Sequence, residues 1–260
     1  MTSYQGRHAE LYDILYADKP YAAEAAFVHE CFQRHGIPQG SRLLELACGT
    51  GQHAFEFERL GYEVTATDSS AAMLGQARRK AQKQGSTVEF EQQDMRSLDV
   101  SGRPFDAAVC LFDSIGFVQT NDALRQVLSE VYRHLRPYGL FLFEFWHAAA
   151  MVRSFEPTRV RRWSLPDGEL LRISETALDC ARQLAKVSYT ILELRRDGTF
   201  TSFREEQINR YFLVQEMAAW SEACGFEPQA WLGGFSFGAK IDLDTWHVVA
   251  VLRRKAEPAE

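Results

Sequence analysis

Leu43-Leu44-Glu45-Leu46-Ala47-Cys48-Gly49-Thr50-Gly51, followed 17 residues after Gly51 by Asp68, decides how this chain is read. The run to Ala47 is a buried strand broken by one acid. The glycines behind it mark a turn whose backbone must pass close to a ligand, because a side chain there would take the ligand's space. Asp68 closes a second apolar strand, Glu63 to Thr67, and offers a carboxylate able to accept from both hydroxyls of a ribose. Strand, glycine turn and acid together describe a nucleoside-binding site.

Two kinds of nucleoside are open at this point. Gly49, Gly51 and Ala54 satisfy the loose pattern G-x-G-x-x-A, so an NAD-dependent oxidoreductase is one reading. Against it stand Glu45, inside the first strand, and Asp94, after the third. A pyrophosphate among these carboxylates would be repelled. S-adenosylmethionine carries an ammonium and a sulfonium and no phosphate, so the same carboxylates suit it.

At these residues the sequence resembles the class I S-adenosylmethionine-dependent methyltransferases, whose E-x-A-C-G-T-G motif stands at Glu45 to Gly51; the likeness runs in the same motif order from about Ser41 to Phe145. It implies an α/β, Rossmann-like methyltransferase fold: a mostly parallel seven-stranded sheet with helices on both faces. Carried over position by position, it implies that Tyr12, Glu45, Ala47, Cys48, Gly49, Thr50 and Gly51 lie against the cofactor, and that Asp68 and Ser69 meet the ribose. Met73, Asp94 and Met95 would lie at the adenine, with Cys110, Leu111 and Phe112 closing the far side.

Composition agrees with a soluble enzyme. At 260 residues the chain can bury one large core, and its net charge of −6, with no Lys/Arg block, argues against nucleic acid. Residues 1 to 10 lack the apolar stretch of a secretory signal, and no segment is long enough to span a bilayer. The five cysteines form no C-x-x-C, so neither a zinc site nor a disulfide framework is expected, and a cytoplasmic location fits. The partner expected is a small-molecule acceptor, with no nucleic acid and no membrane.

Four regions follow along the chain. Residues 1–40 read as a helical cap or lid, with Pro20 opening a helix whose apolar stripe is Phe27, Val28, Cys31 and Phe32. Residues 41–150 alternate strand and helix as the cofactor-binding core. Residues 151–212 switch to polar-apolar alternation with turns at Pro166-Asp167-Gly168 and Arg196-Asp197-Gly198, the pattern of an inserted antiparallel β-sheet suited to the acceptor side, to a homodimer surface, or to both. Residues 213–260 supply a last helix and two antiparallel edge strands.

Methyl transfer from a sulfonium is an in-line displacement, so no nucleophilic side chain and no metal is required. An amine or hydroxyl acceptor must still lose a proton, and Tyr4, Asp113 and Glu144 are the candidates near the mouth. Closer likeness, at Tyr4, Tyr12-Asp13, Asp94-Met95-Arg96 and Ser114-Ile115-Gly116, is to the N,N-dimethyltransferases of nucleotide-linked aminodeoxysugars. That group carries a histidine after Ser-Ile-Gly, whereas this chain has Phe117, which also admits a non-catalytic homologue that only binds the cofactor. Arg159, Arg161 and Arg162 open the inserted sheet and either meet a phosphate or lie on an exposed strand face.

Overall fold

The computed structural model describes residues 6–256. Helices α1 (Gly6–Leu15) and α2 (Tyr21–Arg34) precede the alternating core of β1 (Arg42–Leu46), α3 (Gln52–Arg59), β2 (Glu63–Asp68), α4 (Ala71–Gln84), β3 (Glu89–Gln92) and β4 (Phe105–Cys110). A 3-10 turn at Ser114–Phe117 leads to α5 (Asn121–His134), β5 (Leu135–Trp146) and α6 (Ala148–Ser154). Strands β6 (Thr158–Leu165), β7 (Gly168–Asp179), β8 (Leu184–Arg195) and β9 (Phe200–Arg210) follow, then α7 (Val214–Ala223), β10 (Phe226–Gly233) and β11 (His247–Arg254).

Local chemistry fixes the ends of these elements. The Ser70 hydroxyl accepts from the Met73 N–H at the start of α4, and Thr120 accepts from Ala123 at the start of α5. Leu124, Val127, Leu128 and Val131 recur at helical spacing and are fully buried, so α5 is held by the face it lays on the sheet. The α2 stripe of Phe27, Val28, Cys31 and Phe32 is buried on the opposite layer. Helix α6 was not expected from the sequence: at seven residues it is too short for a periodic pattern to declare itself.

Seven strands pair in the order β10-β11-β5-β4-β1-β2-β3, with β11 antiparallel to both its neighbours and the other core pairs parallel. One apolar cluster packs beneath α2 and α3, a second beneath α5 and α7. Chain direction across the sheet reverses at β1, flanked by β2 and β4, and ligands in such sheets bind beyond the carboxyl ends of the strands there. The inserted strands form a separate antiparallel sheet, β6-β7-β8-β9. It is fitted to the core at Gly116, where a Cβ would stand 2.7 Å from the Arg210 carbonyl oxygen. No helix among the described residues is long and apolar enough to cross a membrane.

Candidate active site

The strand ends carry backbone strain. Ala47 after β1, and Phe112 and Asp113 after β4, have φ of +51°, +56° and +55°. Left-handed conformations cost a residue with a Cβ about 1–3 kcal/mol and persist where the surroundings enforce them, commonly at working sites. All three border cavities.

One cavity of about 650 Å³ lies over the ends of β1, β2 and β4, walled by Tyr12, Ala47, Gly49, Asp68, Ser69, Met73, Asp94, Met95 and Phe112. Asp68 is held there by two backbone donors, Gly49 N–H at 2.8 Å and Ser70 N–H at 2.7 Å, one on each oxygen. Burial raises its carboxyl above the usual range, those two bonds pull the other way, and each oxygen keeps a free lone pair for a hydroxyl. Asp94 is fixed by Arg96, whose backbone N–H and Nε donate at 2.9 Å, and this pairing holds its carboxyl low.

Glu45, Cys48, Thr50 and Leu111 border a small adjoining space that shares Tyr12, Ala47 and Phe112 as walls. Glu45 is 2% exposed, and its Oε2 has no hydrogen-bond partner among the described residues. Burial, then the charge of Asp68, pushes its carboxyl well above the ordinary value. A buried carboxylate oxygen left open beside a cavity is what a cationic ligand would satisfy. The donor set therefore fits S-adenosylmethionine: a carboxylate for a positive centre, one for ribose hydroxyls and one near the adenine end.

Two expected contacts stand apart from these walls. Cys110 is wholly buried beneath the site and lines neither space. Gly51 faces the core, where a Cβ would sit 2.8 Å from the Phe90 ring, so the ring and a φ of +80°, rather than a ligand, demand glycine there. At Gly49 the added Cβ would meet the Met73 Cε at 3.3 Å on the cavity side.

Helix α1 is fastened to the loop by Asp13, which accepts from the Thr50 hydroxyl at 2.6 Å, Gln52 at 3.2 Å and the Lys80 ammonium at 2.8 Å. Three of the N-terminal tyrosines pack onto the site's borders: Tyr12 against Tyr16 at 4.7 Å, Tyr16 edge-on to Phe112 at 5.0 Å, and Tyr21 edge-on to His53 at 4.9 Å. His53 sits in α3 and pairs with Glu24 at 2.7 Å. Tyr4 lies outside the described residues.

A second cavity of about 820 Å³ runs from the strand ends to the inserted sheet and shares Phe112 and Phe117 with the first. In the wall of this larger cavity, Asp113 and Glu144 come together around a residue the sequence reading missed, His247 at the start of β11. Its Nδ1 lies 3.1 Å from an Asp113 oxygen and 2.9 Å from Glu144 Oε1. Glu144 also accepts the Phe112 N–H at 2.7 Å.

Burial lowers the His247 pKa, but the two carboxylates outweigh it and push it up to about 11. Burial and the charge of Glu144 push Asp113 up to about 6 against the pull of His247. Burial raises Glu144 too, yet its bonds to His247 and Phe112 leave it below its ordinary value. The three donor atoms also lie close enough to share a cation, but the Nδ1 proton already serves both carboxylates.

Residues 43–139 match the family profile described as a methyltransferase domain. The dTDP-3-amino-3,6-dideoxy-alpha-D-glucopyranose N,N-dimethyltransferase of Streptomyces fradiae is 30% identical over 80% of this chain and 83% of its own length. The dTDP-3-amino-3,4,6-trideoxy-alpha-D-glucopyranose N,N-dimethyltransferase of Streptomyces venezuelae is 34% identical, over 55% of this chain and only 59% of its own length. A solved S-adenosylmethionine-dependent methyltransferase from Clostridium acetobutylicum superposes with a TM-score of 0.82 at 21% identity, covering 95% of this chain and 98% of that one.

Proposed function

Because this chain belongs to the S-adenosylmethionine-dependent methyltransferases, we propose that it methylates an amino group of a small molecule, with a nucleotide-linked amino sugar as the class its relatives' activities favour. The observation that carries this reading is the Asp113–Glu144–His247 cluster in the wall of the larger cavity, next in the chain to Phe112, which borders both cavities. With His247 protonated, the cluster itself keeps one net negative charge, and Lys19, the further cation that reaches it, is already paired with Glu24; the site therefore draws an ammonium more strongly than a neutral hydroxyl.

S-adenosylmethionine supplies, when bound, a methyl group already activated on sulfur. Asp68 would hold its ribose, Asp94 and Met95 its adenine, Met73 the ring face, and Glu45 its positive charge. Residues 1–40 act in this reading as a cap, which the contacts of Asp13 with Thr50 and Lys80 support. The remaining work is to align the acceptor nitrogen and to remove its proton. Asp113, raised towards neutrality, is the carboxylate suited to take that proton. Glu144 stays ionised, keeps His247 charged, and through the Phe112 N–H fixes the strained turn that presents Asp113.

A concave cavity of about 820 Å³ favours a small molecule over a nucleic-acid strand. The free cysteines fit a reducing compartment such as the cytoplasm. The test is a mass-spectrometric screen with S-adenosylmethionine against simple amines, dTDP-linked amino sugars and their hydroxy counterparts. Mass gain on amines alone is expected. Transfer only to hydroxyls, or tight cofactor binding with no transfer to any compound, would overturn the reading.

A further inference from the structure

Arg172, in the middle of β7, is 6% exposed, and its Nε and Nη1 have no hydrogen-bond partner among the described residues. No carboxylate among the described residues pairs with it. The rings of Tyr16, Trp163 and Tyr189 stand 5.2 to 5.3 Å from its guanidinium carbon. Such rings attract the charge through their faces but accept none of the in-plane N–H bonds, so the box holds a cation whose donors stay open.

A second guanidinium lies beside it. Arg161 on β6 is directly opposite Arg172 in the antiparallel register, so both side chains leave the same face of the sheet, and both line the larger cavity. Like charges placed opposite one another across a ladder are destabilising unless something between them compensates. Arg159, two residues along the same strand face, is already paired with Glu156 at 2.7 Å; Arg161 makes no ion pair of its own among the described residues and feels Glu156 only through its charge. In a chain of net charge −6 this is a local concentration of positive charge. The other end of the same cavity carries Asp113 and Glu144.

We infer that Arg161 and Arg172 form an oxyanion receptor on the inserted sheet, and that the acceptor is an amine that also bears a carboxylate or phosphate. The inference rests on the amine reading above and sharpens it. The ammonium end of the acceptor meets the carboxylates at the strand ends, the anionic end meets the guanidiniums, and the cavity's polarity sets which way round the molecule enters. Two guanidiniums suit a doubly charged oxyanion best. The inserted sheet is then the element that selects the substrate, while the strand ends carry the proton transfer.

The test uses the full chain without cofactor and reads binding rather than turnover. Inorganic pyrophosphate and acetate are titrated by calorimetry into the wild type, Arg161→Gln and Arg172→Gln, and thermal midpoints are recorded with and without each anion. Pyrophosphate is expected to bind and to raise the wild-type midpoint, acetate to do so more weakly, and each substitution to weaken binding by about tenfold or more. Arg161→Gln, at an exposed position that does not endanger folding, should melt higher than the wild type without anion, because the like-charge pair is gone, and should gain less from pyrophosphate. Neither anion binding the wild type, or both variants binding as tightly as the wild type, would overturn the inference. A protein that binds anions through these arginines yet methylates no amine leaves the receptor standing and removes the function; one that methylates amines but binds no anion does the reverse.

Discussion

His247 Nδ1 and Asp113 Oδ1 are 3.1 Å apart, although 134 residues separate them in the chain. The contact joins the first residue of the last strand to the turn after β4, so the edge hairpin reaches into the site as well as completing the sheet. With Asp113 pushed up to about 6 and His247 to about 11, neutral pH leaves the first mostly ionised and the second charged.

Removing the histidine charge should therefore move the proton acceptor. In His247→Gln the two carboxylates repel each other without a cation between them, and the Asp113 pKa rises. The acid limb of the kcat-against-pH profile is expected to climb with pH through about 6 in the wild type and to shift upward by about 1 to 3 pH units in the variant. An unshifted limb would remove Asp113 as the base. Stability gives a matching sign. The folded pKa of His247 lies above its unfolded value, so its contribution is complete below about pH 6.5 and is lost as pH rises towards 11. His247→Gln should accordingly flatten the fall in thermal midpoint between those limits.

Asp68→Ala should weaken S-adenosylmethionine binding by about 1.5 to 3 kcal/mol, the worth of charge-assisted bonds to a buried acceptor. The same carboxylate holds the Gly49 and Ser70 N–H groups, so part of the loss comes from the loop. Asp68→Asn separates the two: it keeps one acceptor oxygen and loses the charge, and calorimetry should place it between alanine and the wild type. Equal affinities for all three proteins would contradict the ribose placement.

Most walls of the candidate cofactor cavity are legible in the sequence, for a physical reason. The cofactor half is made by short-range sequence: a strand, a glycine turn and a helix cap within a few residues, ending in Asp68. Their residue types are forced locally, by φ at Gly49 and by the hydroxyl cap at Ser70. The acceptor half is assembled from chain ends far apart. His247 stands at the head of an ordinary apolar strand, and Arg172 alternates among strand residues like any other. Only strand pairing reveals that the first meets Glu144 and Asp113 and that the second faces Arg161. Gly51 was legible as a glycine, but its reason is the Phe90 ring behind it.

The two loop glycines should respond differently to the same substitution. Gly51→Ala puts a methyl 2.8 Å from Phe90 at a φ of +80°, and is expected to cost stability by about 1–3 kcal/mol or more in denaturant titration. Gly49→Ala meets the flexible end of Met73 at 3.3 Å and the Tyr12 hydroxyl at 4.0 Å, on the cavity side, at a φ of +58°. It should lose less stability and proportionately more cofactor affinity. Equal losses of stability in the two variants would show that the loop, not the direction each glycine faces, sets the cost.

Glu45 offers a prediction in which stability and binding change in opposite directions. Its Oε2 is buried without a partner among the described residues, and its carboxyl is raised well above the ordinary value by burial and by Asp68, so in the folded protein without cofactor every fraction of charge carried there is destabilising. A raised carboxyl loses stability as pH climbs above its unfolded value, because the folded state binds the proton more tightly. Glu45→Gln abolishes that penalty while keeping the shape. Without cofactor at about pH 8 it should melt higher than the wild type, by roughly 2–4 °C per kcal/mol relieved, with the gap widening as pH increases. With S-adenosylmethionine the order should reverse, because the variant no longer offers a charge to the cationic ligand and binds it about tenfold or more weakly. A variant that melts lower without cofactor, or binds cofactor as tightly as the wild type, would mean that Glu45 is a structural acid whose open oxygen has no role in holding the methyl donor.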